Sequence, residues 1–161
     1  MKPNRFITLA TACLVTAAIP IVARSAYSSD MPTVSQIAQA QSVTVAAGTF
    51  VAAEKPTTGT ARIISESGRR YLELDAAFST SEQGPDLHVL LDPSAQPPKS
   101  YSSSTGVVNL GKLTSYSGSQ RYAIPDSVQI SDFNSVVIWC QTANATFGYA
   151  PLQPAQNALI R

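Results

Sequence analysis

Cysteine and histidine are scarce in this sequence, and their scarcity limits the metal chemistry that it can support. The 161 residues include two cysteines, Cys13 and Cys140, and one histidine, His88. A zinc site normally takes three or four ligands from histidine, cysteine and carboxylate side chains. Because Cys13 lies in an N-terminal stretch that we expect to be removed, the mature chain would offer one cysteine and one histidine. We therefore predict no metal site.

The motifs of two common enzyme classes are also missing. The sequence has no Gly-x-Ser-x-Gly segment, which forms the nucleophile elbow of α/β-hydrolases. It also has no glycine-rich loop of the kind that binds nucleotide phosphates. Serine is abundant, so a Ser-His-Asp hydrolase built on another pattern stays open. These absences do not favour a stand-alone enzyme.

Charge is sparse, at 13% of the residues, with 11 Lys and Arg against 10 Asp and Glu. Three of the basic residues, Lys2, Arg5 and Arg24, fall within the first 26 positions, which leaves 8 basic and 10 acidic residues in the remainder. Nucleic-acid binding needs clustered Lys and Arg to neutralise phosphates. The pair Arg69-Arg70 is the one basic cluster beyond the N-terminus, so we expect no nucleic-acid partner.

The N-terminus has the pattern of an export signal. Lys2 and Arg5 precede an uncharged apolar stretch at residues 6–22, and small residues follow at Ala23 and Ser25. This order is typical of a secretory signal peptide, so we predict a signal helix within residues 1–26, cleavage after Ser25 and an extracytoplasmic, periplasmic or secreted protein. An uncleaved anchor is the alternative, at the short limit for a membrane span. Membrane contact would then come only through this segment.

Residues 27–47 show no sustained period and are predicted to be a linker, with a short strand near residues 43–45. A domain follows at residues 48–152, and residues 153–161 are predicted to be a C-terminal tail. In the domain, short segments of alternating polarity are separated by Gly, Pro, Ser and Asp, and no helical stripe occurs. This pattern predicts an all-β fold, an antiparallel sandwich or barrel of seven to nine short strands. The predicted strands are residues 60–65, 70–78, 86–92, 107–110, 112–116, 120–124, 135–141 and 147–150.

Cys140 ends the apolar run VVIWC at residues 136–140. If the segment is a strand, Val136, Ile138 and Cys140 share one face, and Val137 and Trp139 share the other. Free cysteine is often buried and inert, whereas a reactive thiol needs a neighbouring cation or a helix N-terminus to lower its pKa. No cation adjoins Cys140 in the sequence, so the fold would have to bring one such as Lys112 or Arg121. Both interpretations stay open.

His88 falls in the predicted strand at residues 86–92, where it shares a face with Asp86, Leu90 and Asp92. An Asp-His pair is therefore geometrically available. A histidine half exposed on a strand, with no ligand, is the alternative.

Several short motifs occur together in a fixed order. They are Gly48-x-Phe50, Gly59-x-Ala61-x-Ile63, Leu72-x-Leu74, Gly84-Pro85-Asp86-Leu87, Leu110-Gly111-x-Leu113, Gly118-x-Gln120-x-Tyr122-x-Ile124-Pro125, the run from Ser135 to Trp139-Cys140, and Phe147-Gly148-x-Ala150-x-Leu152. In this combination the chain resembles the DM-thirteen domain, a family described as an electron-transfer domain. The resemblance runs from about Gly48 to Leu152.

The resemblance implies an extracytoplasmic β-sandwich akin to DOMON-type domains, some of which bind haem or sugars. It implies that Cys140 is the redox residue, either as a thiol that is oxidised and reduced or as a haem ligand. Relatives carry a histidine shortly before the glycine that corresponds to Gly59, and Lys55 stands in its place here. A haem held by two ligands would then need Cys140 with His88 or a methionine. Thiol chemistry without a cofactor is therefore the simpler version.

Two functional hypotheses follow. In the first, the chain is an exported redox module that uses Cys140, with or without a bound cofactor such as haem, and serves a redox partner. In the second, it is a non-catalytic binding or adhesion module for a cell-surface ligand, and Cys140 is buried and inert.

Overall fold

The structure, a computed structural model, describes residues 42–103 and 105–155. Those residues form twelve β-strands and one single-turn 3-10 helix, Ile130–Asp132. The strands are β1 (Ser42–Thr49), β2 (Val51–Ala52), β3 (Thr57–Thr58), β4 (Thr60–Glu66), β5 (Arg69–Leu74), β6 (Ser79–Thr80), β7 (Leu87–Asp92), β8 (Val108–Lys112), β9 (Gln120–Ile124), β10 (Ser135–Cys140), β11 (Ala145–Pro151) and β12 (Gln153–Pro154). The all-β prediction is confirmed: eight strands have five residues or more, and the other four have two.

The predicted signal peptide at residues 1–26, most of the predicted linker and residues 156–161 of the predicted tail lie outside the described residues. Within the part of the chain that the structure describes, no helix has the length and hydropathy needed to cross a membrane.

The strands form two antiparallel five-stranded sheets, as expected for a β-sandwich. The first sheet has the order β12-β1-β4-β5-β9 and the second has the order β2-β11-β10-β7-β8, while β3 and β6 form a separate pair. Alternate residues of the two sheets form one core between them. The largest fully buried side chains of this core include Phe78, Ile63, Leu72, Leu91 and Ile138.

The predicted hairpin at residues 60–78 is present, but its second strand is shorter than predicted. Ser67 and Gly68 have φ values of 50° and 77°, the left-handed pair that a tight two-residue hairpin turn requires. We expected alternation to continue to residue 78, yet β5 ends at Leu74 and Ala76 is exposed. The amide of Phe78 donates to the carbonyl of Asp75 at 3.1 Å, and this turn breaks the alternation before Phe78 returns to the core.

One strand with a bulge, β8, replaces the strand predicted at residues 107–110, and of the strand predicted at residues 112–116 it includes Lys112 alone. Its register against β7 shifts between Val89 and Leu90, and Gly111 has a φ of 126° that glycine adopts without strain. Beyond Lys112 the amides of Thr114 and Ser115 donate to the side chain of Gln120, both at 3.1 Å. These amides therefore bond to a side chain rather than to a neighbouring strand, and the segment is a loop.

Strand β1 begins inside the predicted linker, and the first residues of the predicted tail form β12. Ala46 and Ala47 of β1 pair with Pro154 and Gln153, so the first sheet includes residues on both sides of the predicted range 48–152. The strand expected near residues 43–45 is the start of β1.

The loop after β7 lies over the outer face of the second sheet. We call residues 93–103 the covering loop. The Ser135 hydroxyl donates to the carbonyl of Ser94 at 2.7 Å, and the Thr146 hydroxyl donates to the carbonyl of Pro98 at 2.6 Å. All six residues of β7 are buried, and on the covered face the polar residues Asp92, Ser135 and Thr146 are at most 3% exposed.

Candidate functional site around strand β10

Strands β7 and β10 place the two predicted site residues on opposite faces of the second sheet. Cys140 pairs with Leu87, and Trp139 pairs with His88. Paired residues of an antiparallel sheet project to the same face. Cys140 and Leu87 belong to the core, so Trp139 and His88 project to the outer face.

The thiol of Cys140 lies in the core between the sheets. Its side chain is 1% exposed, and the residue carries no disulfide. The two candidate cations bond elsewhere: Lys112 to Asp86 at 2.9 Å, and Arg121 to Glu66. Arg121 also stacks over the ring of Tyr71, 3.8 Å from its centroid. Neither cation is therefore held beside the thiol.

His88 lies in a polar cage on the outer face, where it is 8% exposed. Its Nε2 is 3.2 Å from Asp86 Oδ1, so the Asp-His pair expected from the sequence forms. On the other side, Nδ1 is 3.1 Å from Asn109 Nδ2. Because Asn109 Oδ1 already accepts from the amide of Gly111 at 2.9 Å, we assign Asn109 Nδ2 as the donor to Nδ1 and Nε2–H as the donor to Asp86.

Asp86 links this cage to Lys112. The hydrogen bond from Lys112 lowers the pKa of Asp86 below its ordinary value of 3.8, and the bond from His88 adds to the effect. The carboxylate is therefore ionised at neutral pH and accepts from both side chains. In this arrangement both ring nitrogens of His88 are bonded to neighbouring side chains.

An aromatic cluster that the sequence patterns did not predict lies beside His88. The ring of Trp139 is 6.3 Å from that of His88 and 5.9 Å from that of Tyr101, the latter pair edge to face at 83°. The hydroxyl of Tyr101 donates to Asp92 Oδ2 at 2.6 Å. Burial raises the pKa of Tyr101, and the bond to Asp92 raises it further, so the phenol keeps its proton.

Asn144 fastens the covering loop over this cluster. Its side chain accepts from the Tyr101 amide and donates to the Tyr101 carbonyl, both at 2.9 Å, and accepts from Trp139 Nε1 at 3.2 Å. Its φ of 46° is left-handed, which asparagine tolerates better than most residues. The sequence marks this position only as part of Asn144-Ala145-Thr146, a match to the glycosylation motif, which carries no information on these contacts.

A haem held jointly by Cys140 and His88 does not fit this arrangement. The two side chains project to opposite faces of one sheet, so they cannot approach the same iron. Beside Trp139 and Tyr101 there is a cavity of about 70 Å³, far below the roughly 300–1,000 Å³ of typical ligand pockets. In the described ranges, no group of three or more His, Cys, Asp or Glu side chains is arranged to hold a metal ion.

Comparison with known proteins identifies the family. No curated protein and no solved structure matches the chain. The family model described as Electron transfer DM13 matches residues 49–152, which run from the end of β1 to the residue before β12 and include both faces of the site. The chain therefore belongs to the DM13 electron-transfer family, as its motifs predicted.

Proposed function

We propose that this chain is an exported electron-transfer module in which Cys140 is the redox residue. The family match over residues 49–152 is the observation that carries the proposal. Export rests on the signal pattern of residues 1–26. With Cys13 removed, Cys140 would be the single thiol of a protein in an oxidising compartment.

The burial of Cys140 restricts how it reacts. Thiol–disulfide exchange requires contact between sulfur atoms, and a side chain that is 1% exposed does not offer that contact in the closed fold. Cys140 is, however, the last residue of β10, and the turn that follows, residues 141–144, is exposed. Local opening of this strand end would expose the thiol without global unfolding. The proposal therefore places thiol reactivity in a minor open state.

A second candidate is a binding or adhesion module with an inert Cys140. The same burial favours it, because a cysteine packed among apolar side chains usually behaves as a small hydrophobe. The two candidates differ in whether Cys140 reacts while the rest of the domain stays folded.

Thiol labelling separates the two candidates. The full exported chain is treated with an aromatic disulfide reagent with and without denaturant, and protein-film voltammetry is run on the same samples, with Cys140→Ala as the control. If the electron-transfer proposal is correct, we expect Cys140 to be labelled under native conditions at a rate faster than that of global unfolding. We also expect a voltammetric wave in the wild type that is absent from Cys140→Ala. If Cys140 is labelled only at the rate of global unfolding and no wave appears, the electron-transfer proposal is wrong and the binding module is the candidate that stands.

Export has its own test. Fusion of residues 1–41 to a reporter enzyme that is active only outside the cytoplasm should give activity, and the mature N-terminus should be Ala26. A reporter that stays inactive would refute export and leave the electron-transfer assignment to be judged by voltammetry.

A further inference from the structure

We propose that Tyr101, Trp139 and Asp92 form a proton-coupled electron relay on the outer face of the second sheet. This inference rests on the proposed electron-transfer function. The three residues are those through which an electron would pass on the covered face of the sheet. The relay does not use Cys140, which lies on the other face of the same sheet.

The two rings are close enough for direct exchange of an electron. Their centroids are 5.9 Å apart in an edge-to-face arrangement, within the range of contacting aromatic pairs. Electron transfer between rings falls off steeply with distance, so a contacting pair exchanges faster than separated rings. Asn144 bonds to both residues, which fixes their relative position.

Asp92 provides the site for the proton. A phenol that loses an electron becomes strongly acidic, and its oxidation is easier when a base accepts the proton at the same time. The Tyr101 hydroxyl already donates to Asp92 Oδ2 at 2.6 Å, while the amide of Ser94 holds the other oxygen at 2.7 Å. Asp92 is 3% exposed, so water does not compete readily for the proton.

The hydroxyl of Tyr101 has a different acceptor from the hydroxyls of Tyr116 and Tyr122. Tyr116 donates to the backbone carbonyl of Gly84 at 3.1 Å, and Tyr122 donates to the side-chain amide of Gln120 at 2.7 Å. Neither acceptor is a base at neutral pH. Among the residues that the structure describes, Tyr101 is the tyrosine with a hydroxyl bonded to a carboxylate and a ring against the tryptophan.

The relay step balances in charge and protons. A one-electron acceptor, such as the oxidised metal centre of a partner protein, takes an electron from Trp139 and leaves an indole radical cation. Tyr101 returns an electron to the indole as its hydroxyl proton moves to Asp92. The products are neutral Trp139, a neutral tyrosyl radical and a protonated carboxyl. A one-electron reductant then restores Tyr101, and the proton returns from Asp92.

Pulse radiolysis tests the relay, because azide radicals oxidise tryptophan selectively and Trp139 is the one tryptophan of the chain. In the full chain, we expect the tryptophanyl signal to decay as the tyrosyl signal grows, in a first-order process independent of protein concentration. Tyr101→Phe should abolish this transfer, and Asp92→Asn should slow it. Tyr116→Phe is the matched control and should leave the rate unchanged. Circular dichroism checks that each variant is folded.

Two results would overturn the relay: a wild-type tryptophanyl radical that does not pass its charge to tyrosine, or transfer that survives Tyr101→Phe at the wild-type rate. Cys140→Ala separates this test from that of the proposed function. The variant should transfer normally, since Cys140 is not in the relay, whereas loss of transfer would show that the sulfur of Cys140 supplies or carries the electron that reduces the indole, and would refute the relay. A relay that works in a chain without a voltammetric wave would contradict the proposed function alone.

Discussion

Trp139 and Cys140 are consecutive residues of β10, and their side chains lie on opposite faces of the second sheet. Cys140 packs in the core, 1% exposed, whereas Trp139 contacts Tyr101 under the covering loop. The Trp-Cys pair to which the family resemblance points is therefore divided between two environments. One contains apolar side chains, and the other contains aromatic rings with polar partners.

The first prediction concerns substitution of Cys140. Cys140→Ala should lower the free energy of unfolding by about 1 kcal/mol, the usual size of a core truncation of this kind. Cys140→Ser should cost about 1–3 kcal/mol more, because it buries a hydroxyl among apolar neighbours. Urea unfolding of both variants measures the difference. Equal stability of the two variants would show that the sulfur position is hydrated.

The second prediction concerns the clamp at Asn144. Asn144→Gly keeps the left-handed backbone but loses three hydrogen bonds, so we expect a loss of about 1–3 kcal/mol. Asn144→Ala should cost about 1–2 kcal/mol more, because alanine is strained at a φ of 46°. Trp139 fluorescence should shift to the red in both variants as the covering loop loosens. An unshifted spectrum in both variants would show that Asn144 does not hold the loop.

The third prediction concerns Asp86 and its bond from Lys112. The pKa of Asp86 is lowered from 3.8 in the folded chain, so its carboxylate stabilises the fold above that value and stops doing so as the pH falls through the lowered value. Lys112→Gln should raise the pKa of Asp86 and destabilise the fold at neutral pH, with a difference that vanishes in strong acid. NMR titration and thermal unfolding measure both effects.

Lys55→Gln is the matched control for this prediction, because Lys55 Nζ donates to the Gln83 side chain at 3.1 Å rather than to a carboxylate. Its stability difference from the wild type should not change across the acidic range. A Lys112→Gln difference that persists in strong acid would assign the effect to something other than Asp86.

The fourth prediction concerns Tyr101 at alkaline pH. Its pKa is raised above 10.0 by burial and then by Asp92, so the unfolded chain ionises this phenol first and stability should fall as the pH rises above 10.0. Tyr101→Phe should be less stable than the wild type at neutral pH, where it lacks the bond to Asp92, and should lose less stability on alkalinisation. Urea midpoints at neutral and alkaline pH test this. Parallel losses would contradict it.

Local patterns predicted much of the fold because they report local geometry. The segments 86–92 and 120–124 are short and contain apolar residues, and Gly and Pro bound them on both sides, so β7 and β9 lie where expected to within one residue. The need for glycine at motif position Gly48 is visible only in the tertiary structure, because a Cβ there would collide with the backbone carbonyl of Pro151. No pattern around residue 48 encodes that contact.

The aromatic cluster was not predictable, because long-range contacts assemble it. Tyr101 lies in a segment rich in proline and serine, and its backbone partner Asn144 is 43 positions away. Strand alternation places Asp92 on the same face as His88, yet the side chain of Asp92 bonds to Tyr101 instead.

The sequence by itself determined that Trp139 and Cys140 point in opposite directions, because side chains alternate along any strand. Which of the two faces the core, and what covers the other, depended on how two sheets and a long loop pack. Those contacts join residues that are far apart in the chain. They form only when the tertiary structure buries apolar side chains and gives buried polar groups their hydrogen-bond partners.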